Sequence, residues 1–271
     1  MRVVALEGHW SETRCRDLRD AQGAILKPLW QPQGRPAGRG RPWRDLRAVL
    51  NGVLWVLRTG APWHDLPSRY PPYQTCHRRL QQWRREGTLT RVLTALAKDL
   101  RDRGKLDLSE TCIDASFSSA PKRGSAVGPT RRGKGSKIMA IVDRHGLPLA
   151  VSVASASPHE TKLVEATLPQ RFLPEVPAKL IGDRAYDSER LDQQLRERYG
   201  IELIAPHNVG RVNPPTQDGR PLRRYRRRWK IERFFAWLHN SRRLVTRWEY
   251  YPENFLTMLH LACILIFLRH L

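Results

Sequence analysis

The hydrophobic period of this chain changes near residue 108, and that change limits its folds more than any other feature. Upstream, Leu46, Val49, Leu50, Val53, Leu54 and Leu57 recur at i, i+3, i+4 and i+7, the spacing of a packed helix, until Gly60 and Pro62 stop it. A second helix from about Gln74 carries Arg78, Arg79, Arg84 and Arg85. Helices joined by tight turns, the last one basic, predict a small all-helical, helix-turn-helix-like domain over residues 1–107. Downstream, "ETCIDASFSS", "KIMAIVD", "LPLAVSVASAS", "AKLIGDRAYD" and "IELIAPH" are short apolar runs bounded by turn residues, with helical stretches between the later ones. The order β-β-β-α-β-α-β-α predicts an α/β domain over 108–271, a mixed sheet with flanking helices.

Charge narrows the partners. The 271 residues carry 48 Lys+Arg against 26 Asp+Glu, a formal +22, which favours a polyanion and nucleic acid first. Cys15, Cys76, Cys112 and Cys263 form no CxxC pair, so neither a zinc site nor a disulfide framework is expected, and a reducing cytoplasm fits. "MRVVALEGHWSETRC" lacks the apolar core of a signal peptide. The tail "FLTMLHLACILIFLRHL" is too short to span a bilayer comfortably and predicts a buried C-terminal helix, with no membrane partner.

Asp114 and Asp183 each end a hydrophobic strand, the rim where α/β proteins place ligands. Asp143 reads as a turn residue and Asp187 as a helix N-cap. Ser157, Pro158 and Glu160 spell a capping box, which gives Glu160 a structural task. Residues 223–244, "RRYRRRWKIERFFAWLHNSRRL", hold one acid among many arginines. On a helical wheel Ile231, Phe234, Phe235 and Leu238 form the core stripe. Arg226, Lys230, Arg233 and Trp237 form a basic face suited to DNA, and Tyr225, Arg228, Glu232 and His239 line the rim between them. Three carboxylates on separate elements of a very basic chain suit phosphodiester chemistry, in which hard oxygen ligands hold Mg²⁺ and two ions activate attacking and leaving oxygens.

With these residues placed, the chain resembles the DDE transposases of bacterial insertion sequences, in the insertion-sequence-five group. "GRPWRDLRAVLNGVLWVLRTGAPWHDLP" is similar to that group's N-terminal helical domain. "CIDASFSSA", "RRGKGSKIMAIVDRHGLPLAVSVASAS" and "LIGDRAYDS" resemble the stretches around its first two catalytic aspartates. "YRRRWKIERFFAWLH" resembles its Y-x2-R-x3-E-x6-K signature through Tyr225, Arg228 and Glu232, with His239 where a lysine is expected. The resemblance implies an RNase H-like catalytic domain and an Asp114, Asp183 and Glu232 triad that is both catalytic and metal-binding. It implies two Mg²⁺ ions, with Mn²⁺ able to substitute. It also implies double-stranded DNA as partner, both inverted-repeat ends and target, bound by a homo-oligomer in the bacterial nucleoid. Tyr225, Arg228, His239, Arg226, Lys230 and Arg233 are the expected DNA contacts.

Two rival functions use the same residues: a DNA-binding regulator with an inactive catalytic half, and a structure-specific nuclease on the same fold. "GPTRRGKG" nearly spells a phosphate-binding loop, but Gly135 replaces the Ser/Thr and the strand follows rather than precedes it, so a flexible basic loop is expected. Pro28 to Pro42 reads as another basic loop. Trp43, Trp55, Trp63 and Trp83 are expected in the core, and His64, His77 and His207 lack metal-ligand spacing.

Overall fold

A computed structural model describes residues 17–30, 43–210, Pro214 and 219–271. Cys15, the N-terminal stretch and most of the basic loop before Pro42 lie outside the described residues.

Four helices precede the sheet: α1 (Asp20–Leu29), α2 (Leu46–Thr59), α3 (Tyr73–Arg85) and α4 (Thr88–Asp102). Their ends follow local rules. The Asp45 carboxylate accepts the Ala48 N–H at 2.8 Å at the start of α2, and Gly60 closes it in the left-handed conformation, φ 72°. Pro28 lies inside the last turn of α1, so the helix reaches into the segment expected to be loop. Trp30 and Trp83 are buried edge to face, 5.1 Å between ring centres. Trp43 instead lies partly exposed under the Arg79 guanidinium, 3.8 Å from its ring centre.

The sheet comprises β1 (Thr111–Ser119), β2 (Gly128–Thr130), β3 (Gly133–Val142), β4 (Pro148–Ser155), β5 (Lys179–Ile181) and β6 (Glu202–Ile204). β3 lies antiparallel between β1 and β4, with β2 pairing its first residues, while β1, β5 and β6 run parallel. The spatial order β4-β3-β1-β5-β6, three antiparallel strands followed by parallel ones, is the RNase H-like mixed sheet that was expected. Helices α5 (Val164–Thr167), α6 (Glu189–Tyr199), α7 (Gly219–Leu222), α8 (Trp229–His239), α9 (Arg242–Val245) and α10 (Pro252–Phe267) complete the chain. α10 is buried along most of its length and packs on α4 and β4, as α9 packs on α2. One apolar core therefore runs from Leu18 through the four helices to Leu268. No helix among the described residues is long and apolar enough to cross a membrane.

Four local expectations are corrected. "GPTRRGKG" is a hairpin: Gly128–Thr130 pairs with Gly133–Gly135, because the turn at Arg131 and Arg132 lets β3 begin earlier than its apolar run. The capping box does not form. The Ser157 hydroxyl donates instead to the Pro129 carbonyl at 3.2 Å, and His159 caps a short 3-10 turn, Glu160–Leu163. Ser188, rather than Asp187, caps α6, while Asp187 accepts the Asn208 N–H at 2.8 Å. Residues 223–244 are not one helix: a 3-10 segment, Arg223–Arg227, leads into α8, and Asn240 and Ser241 separate α8 from α9. Both residues are weak helix formers, and the Ser118 hydroxyl donates to the Leu244 carbonyl at 2.9 Å, drawing the chain along β1.

Candidate active site

β1 organises the site. Cys112 pairs with Ile181 of the parallel β5, so Asp183, just past the end of β5, comes beside Asp114. Asp114 does not end its strand as expected: β1 runs on to Ser119 because β3 keeps pairing with it through Gly135. Adjacent strands lie about 4.8 Å apart, which brings the two carboxylates into the same neighbourhood. Asp183 is fixed by accepting the Ala185 N–H at 2.9 Å as cap of a 3-10 turn. Asp114 accepts the Ala115 N–H at 2.8 Å through Oδ1 and the Arg228 guanidinium at 2.7 Å through Oδ2. Burial pushes the Asp114 carboxyl up to about 6. The Ala115 N–H and Arg228 oppose that rise, and the negative charges of Asp183 and Glu160 add to it.

Glu160 is the residue that reading from sequence set aside. Its carboxylate lies 3.6 Å from Lys137 Nζ on β3 and acts electrostatically on both Asp114 and Tyr186. Tyr186 is fully buried, within reach of the Glu160 charge. Burial, reinforced by Glu160, Asp114 and Asp183, pushes its phenol far up, so it stays protonated. The sequence signal for Glu160 was an acid shortly after β4, whose partner β3 adjoins β1. A plausible cap three residues earlier hid it.

The 224–244 segment tracks one face of β1. Asp114, Ser116 and Ser118 alternate onto that face. They meet, in turn, Arg228, His239 (Nε2 to Ser116 Oγ, 3.1 Å) and the Leu244 carbonyl. Arg224 and Arg227 both bond Glu110, just before β1, which fastens the lead-in to α8. The core stripe Ile231, Phe234, Phe235 and Leu238 is buried as expected. Glu232 is mostly exposed, 62% by side chain, with Arg228 Nη2 3.5 Å away. Arg228 thus bridges two of the three expected carboxylates. Tyr225 bonds Arg228, which stays firmly charged.

The basic face is less open than a helical wheel suggests. Lys230 and Arg233 donate to the carbonyls of Arg144 and His145 in the turn between β3 and β4. Arg233 also lies between Trp229 and Trp237, 4.8 and 4.9 Å from their ring centres. Arg226 is exposed. His239 is partly desolvated, which lowers its pKa, so it is neutral at pH 7 in the protein alone. Asp143 is the turn residue expected, accepting N–H groups of Asp107, His145 and Leu147.

The donors at this edge are hard carboxylate oxygens of the type Mg²⁺ takes. Among the described residues, however, no three acidic, histidine or cysteine side chains close on one point. Arg228 occupies the space between Asp114 and Glu232.

Comparison with known proteins follows the same division of the chain. Residues 18–93 match a sequence family described as "Putative transposase of IS4/5 family", and residues 105–267 match one described as "Transposase DDE domain". A "Putative transposase for insertion sequence element IS402" of Burkholderia cepacia is 36% identical over 163 residues, 57% of this chain and 72% of the relative. A "Putative transposase for insertion sequence element IS6501" of Brucella ovis is 32% identical over 133 residues, 49% of this chain and 98% of the relative. Among solved structures, piggyBac transposase in a synaptic complex with hairpin DNA superposes with a TM-score of 0.52 at 12% identity. The superposition covers 94% of this chain and 76% of that one.

Proposed function

Because the chain belongs to the DDE-domain transposases of insertion sequences, we propose that it cuts DNA at the ends of such an element and joins the freed 3′ ends to target DNA. The carrying observation is that Asp114 lies beside Asp183 where β5 ends, with Arg228 tying Asp114 to Glu232. A raised Asp114 pKa beside another carboxylate marks a site that gains from added positive charge.

In this reading Asp114, Asp183 and Glu232 would hold divalent ions, Mg²⁺ or Mn²⁺, with the Glu160 charge acting on Asp114 from beside them. Bound there, such ions would lower the pKa of an attacking water and stabilise the leaving oxygen. The remaining work falls to this chain's own groups. Arg228 neutralises Asp114 and Glu232 until cations arrive, and in their presence its guanidinium is free to turn toward a phosphate. Glu160, held by Lys137, keeps the Asp114 side of the site negative. Arg226 and the net charge of +22 favour the DNA backbone. Residues 1–107 would select the element's ends and 108–271 would carry the chemistry, the two acting through one shared core.

The test uses the full chain, Mg²⁺ and a labelled duplex containing the DNA that flanks its coding region. Nicking at one position, with joining to an unlabelled plasmid, is expected. Both should vanish in Asp183→Asn while duplex binding persists. Cleavage that survives Asp183→Asn would overturn the assignment, and cleavage without joining would favour a nuclease.

A further inference from the structure

Near the far end of β1 the surface changes character. Trp248, Tyr250 and Tyr251 are 43%, 58% and 58% exposed, and Val245 beside them is 45% exposed. The two tyrosine rings meet edge to face, 5.1 Å apart. This group is rigidly mounted. Arg247 is buried between its members and donates five hydrogen bonds: to the carbonyls of Ser125, Ala126, Glu249 and Tyr250, and to the Ser136 hydroxyl. Its own N–H reaches the Ser119 carbonyl at 2.7 Å, and Thr246 bridges to Ser119. Gly124 lies so close that a Cβ there would sit 2.4 Å from the Tyr250 carbonyl, so the 122–126 segment is seated against the tyrosines.

Every charged residue of the neighbouring segment is a cation. Residues 120–136 carry Lys122, Arg123, Arg131, Arg132 and Lys134 with no acidic residue, and all five cations are exposed. The Glu249 carboxylate points inward to Arg243 at 2.7 Å, leaving the exposed Glu253, one turn into α10, as the nearby acid. Exposed aromatic rings on a fixed backbone, next to a loop and hairpin rich in positive charge, suit one ligand class: nucleic acid whose bases are unstacked. A second copy of the chain suits it poorly, because a two-fold contact would press the same cations together.

We propose that Tyr250, Tyr251 and Trp248, mounted by Arg247 beside the 120–136 hairpin segment, form a stacking platform for unpaired DNA bases. The proposal rests on the DNA-cutting reading above and adds a place where strand separation is held. Ser119 is five residues from Asp114 along β1, about 17 Å, or roughly five stacked nucleotides. Bases opened near a cut would therefore reach the platform without leaving the protein.

The experiment compares the full wild-type chain with Tyr250→Ala/Tyr251→Ala and Tyr250→Phe/Tyr251→Phe. Each is titrated with a fully paired 30-base-pair duplex and with the same duplex bearing five unpaired bases, one of them 2-aminopurine. Wild type should prefer the partly unpaired DNA about tenfold and quench the probe. The alanine pair should lose both while binding paired duplex within about twofold of wild type, and the phenylalanine pair should keep both. Equal binding of both DNAs by wild type overturns the platform alone. So does an alanine pair that behaves like wild type, or one whose chief defect is lost self-association. Failure of wild type to bind any duplex overturns the DNA reading on which the platform rests.

Discussion

Arg228 and Arg247 stand toward opposite ends of the same strand, and each holds its surroundings differently. Arg228 faces carboxylates, Asp114 at 2.7 Å and Glu232 at 3.5 Å, in a half-open site. Arg247 is 1% exposed and faces four carbonyls and a hydroxyl. A guanidinium among carboxylates can be replaced by another cation, because the partners stay charged and attract whatever positive group arrives. One among neutral carbonyls has no such rival: remove it and the acceptors are left buried without donors. The contrast separates the proposed working site from a mounting, though both are built from one basic residue type.

The largest effect expected tests the working end. Asp183→Asn should reduce cleavage of end-containing DNA by roughly 10⁴-fold or more, with duplex affinity nearly unchanged. A residual rate within tenfold of wild type would make the Asp114 end another mounting. At the other end, Arg247→Met should cost about 3–5 kcal/mol of stability in denaturant unfolding, since several buried acceptors lose their donor. A cost below about 1 kcal/mol would erase the distinction between the two arginines.

Asp114 sharpens the comparison through pH. Its folded pKa is raised from the ordinary 3.8 to about 6, so the native state favours the protonated carboxyl. That contribution to stability is complete below about pH 3.8 and is lost as pH rises through about 6. Asp114→Asn, which cannot ionise, should therefore be more stable than wild type at pH 8, by up to about 3 kcal/mol, with the gain disappearing near pH 4. Thermal melts at both pH values check it. A variant less stable at pH 8 would mean the Arg228 contact outweighs burial.

Smaller effects come from neighbours. Glu160→Gln removes a negative charge that raises the Asp114 pKa, so the acid limb of the cleavage profile should move to lower pH, with a rate loss of roughly tenfold. An acid limb that stays put would return Glu160 to a purely structural place beside Lys137. His239 is neutral at pH 7 because burial lowers its pKa, whereas a lysine would stay charged. His239→Lys should tighten DNA binding a few-fold at pH 7.5, with the difference narrowing toward pH 5.5 as the wild-type imidazole protonates. Superimposable titrations would confine His239 to its Ser116 contact.

Much of this architecture was legible before any coordinates. The short apolar runs became strands in the expected order, and Gly60 ends its helix in the left-handed conformation. Ile231, Phe234, Phe235 and Leu238 turned inward because a 3.6-residue period can be read from spacing alone. The capping box at Ser157 was misread because a cap motif describes local options, and Ser157 found a better partner at Pro129. The open basic face on α8 was overdrawn for a similar reason. A helical wheel does not show that the turn at residues 143–146 brings carbonyls to Lys230 and Arg233.

By itself, then, the sequence determined the strand and helix periods, the helix stops, the strand-end position of Asp183, and a charge suited to DNA, whereas Asp114 lies within β1 because β3 extends the pairing beyond the apolar run. These depend on spacings of two to four residues, or on composition, and need no knowledge of distant partners. Tertiary structure alone decided which arginine meets which acceptor, because Asp114 and Arg228 are 114 residues apart and Arg247 and Ala126 are 121 apart. It also decided that the N-terminal helices and the sheet share one core, through α10 lying against α4. Apolar faces are written along a chain, but which face covers which is settled only when all of them are buried together.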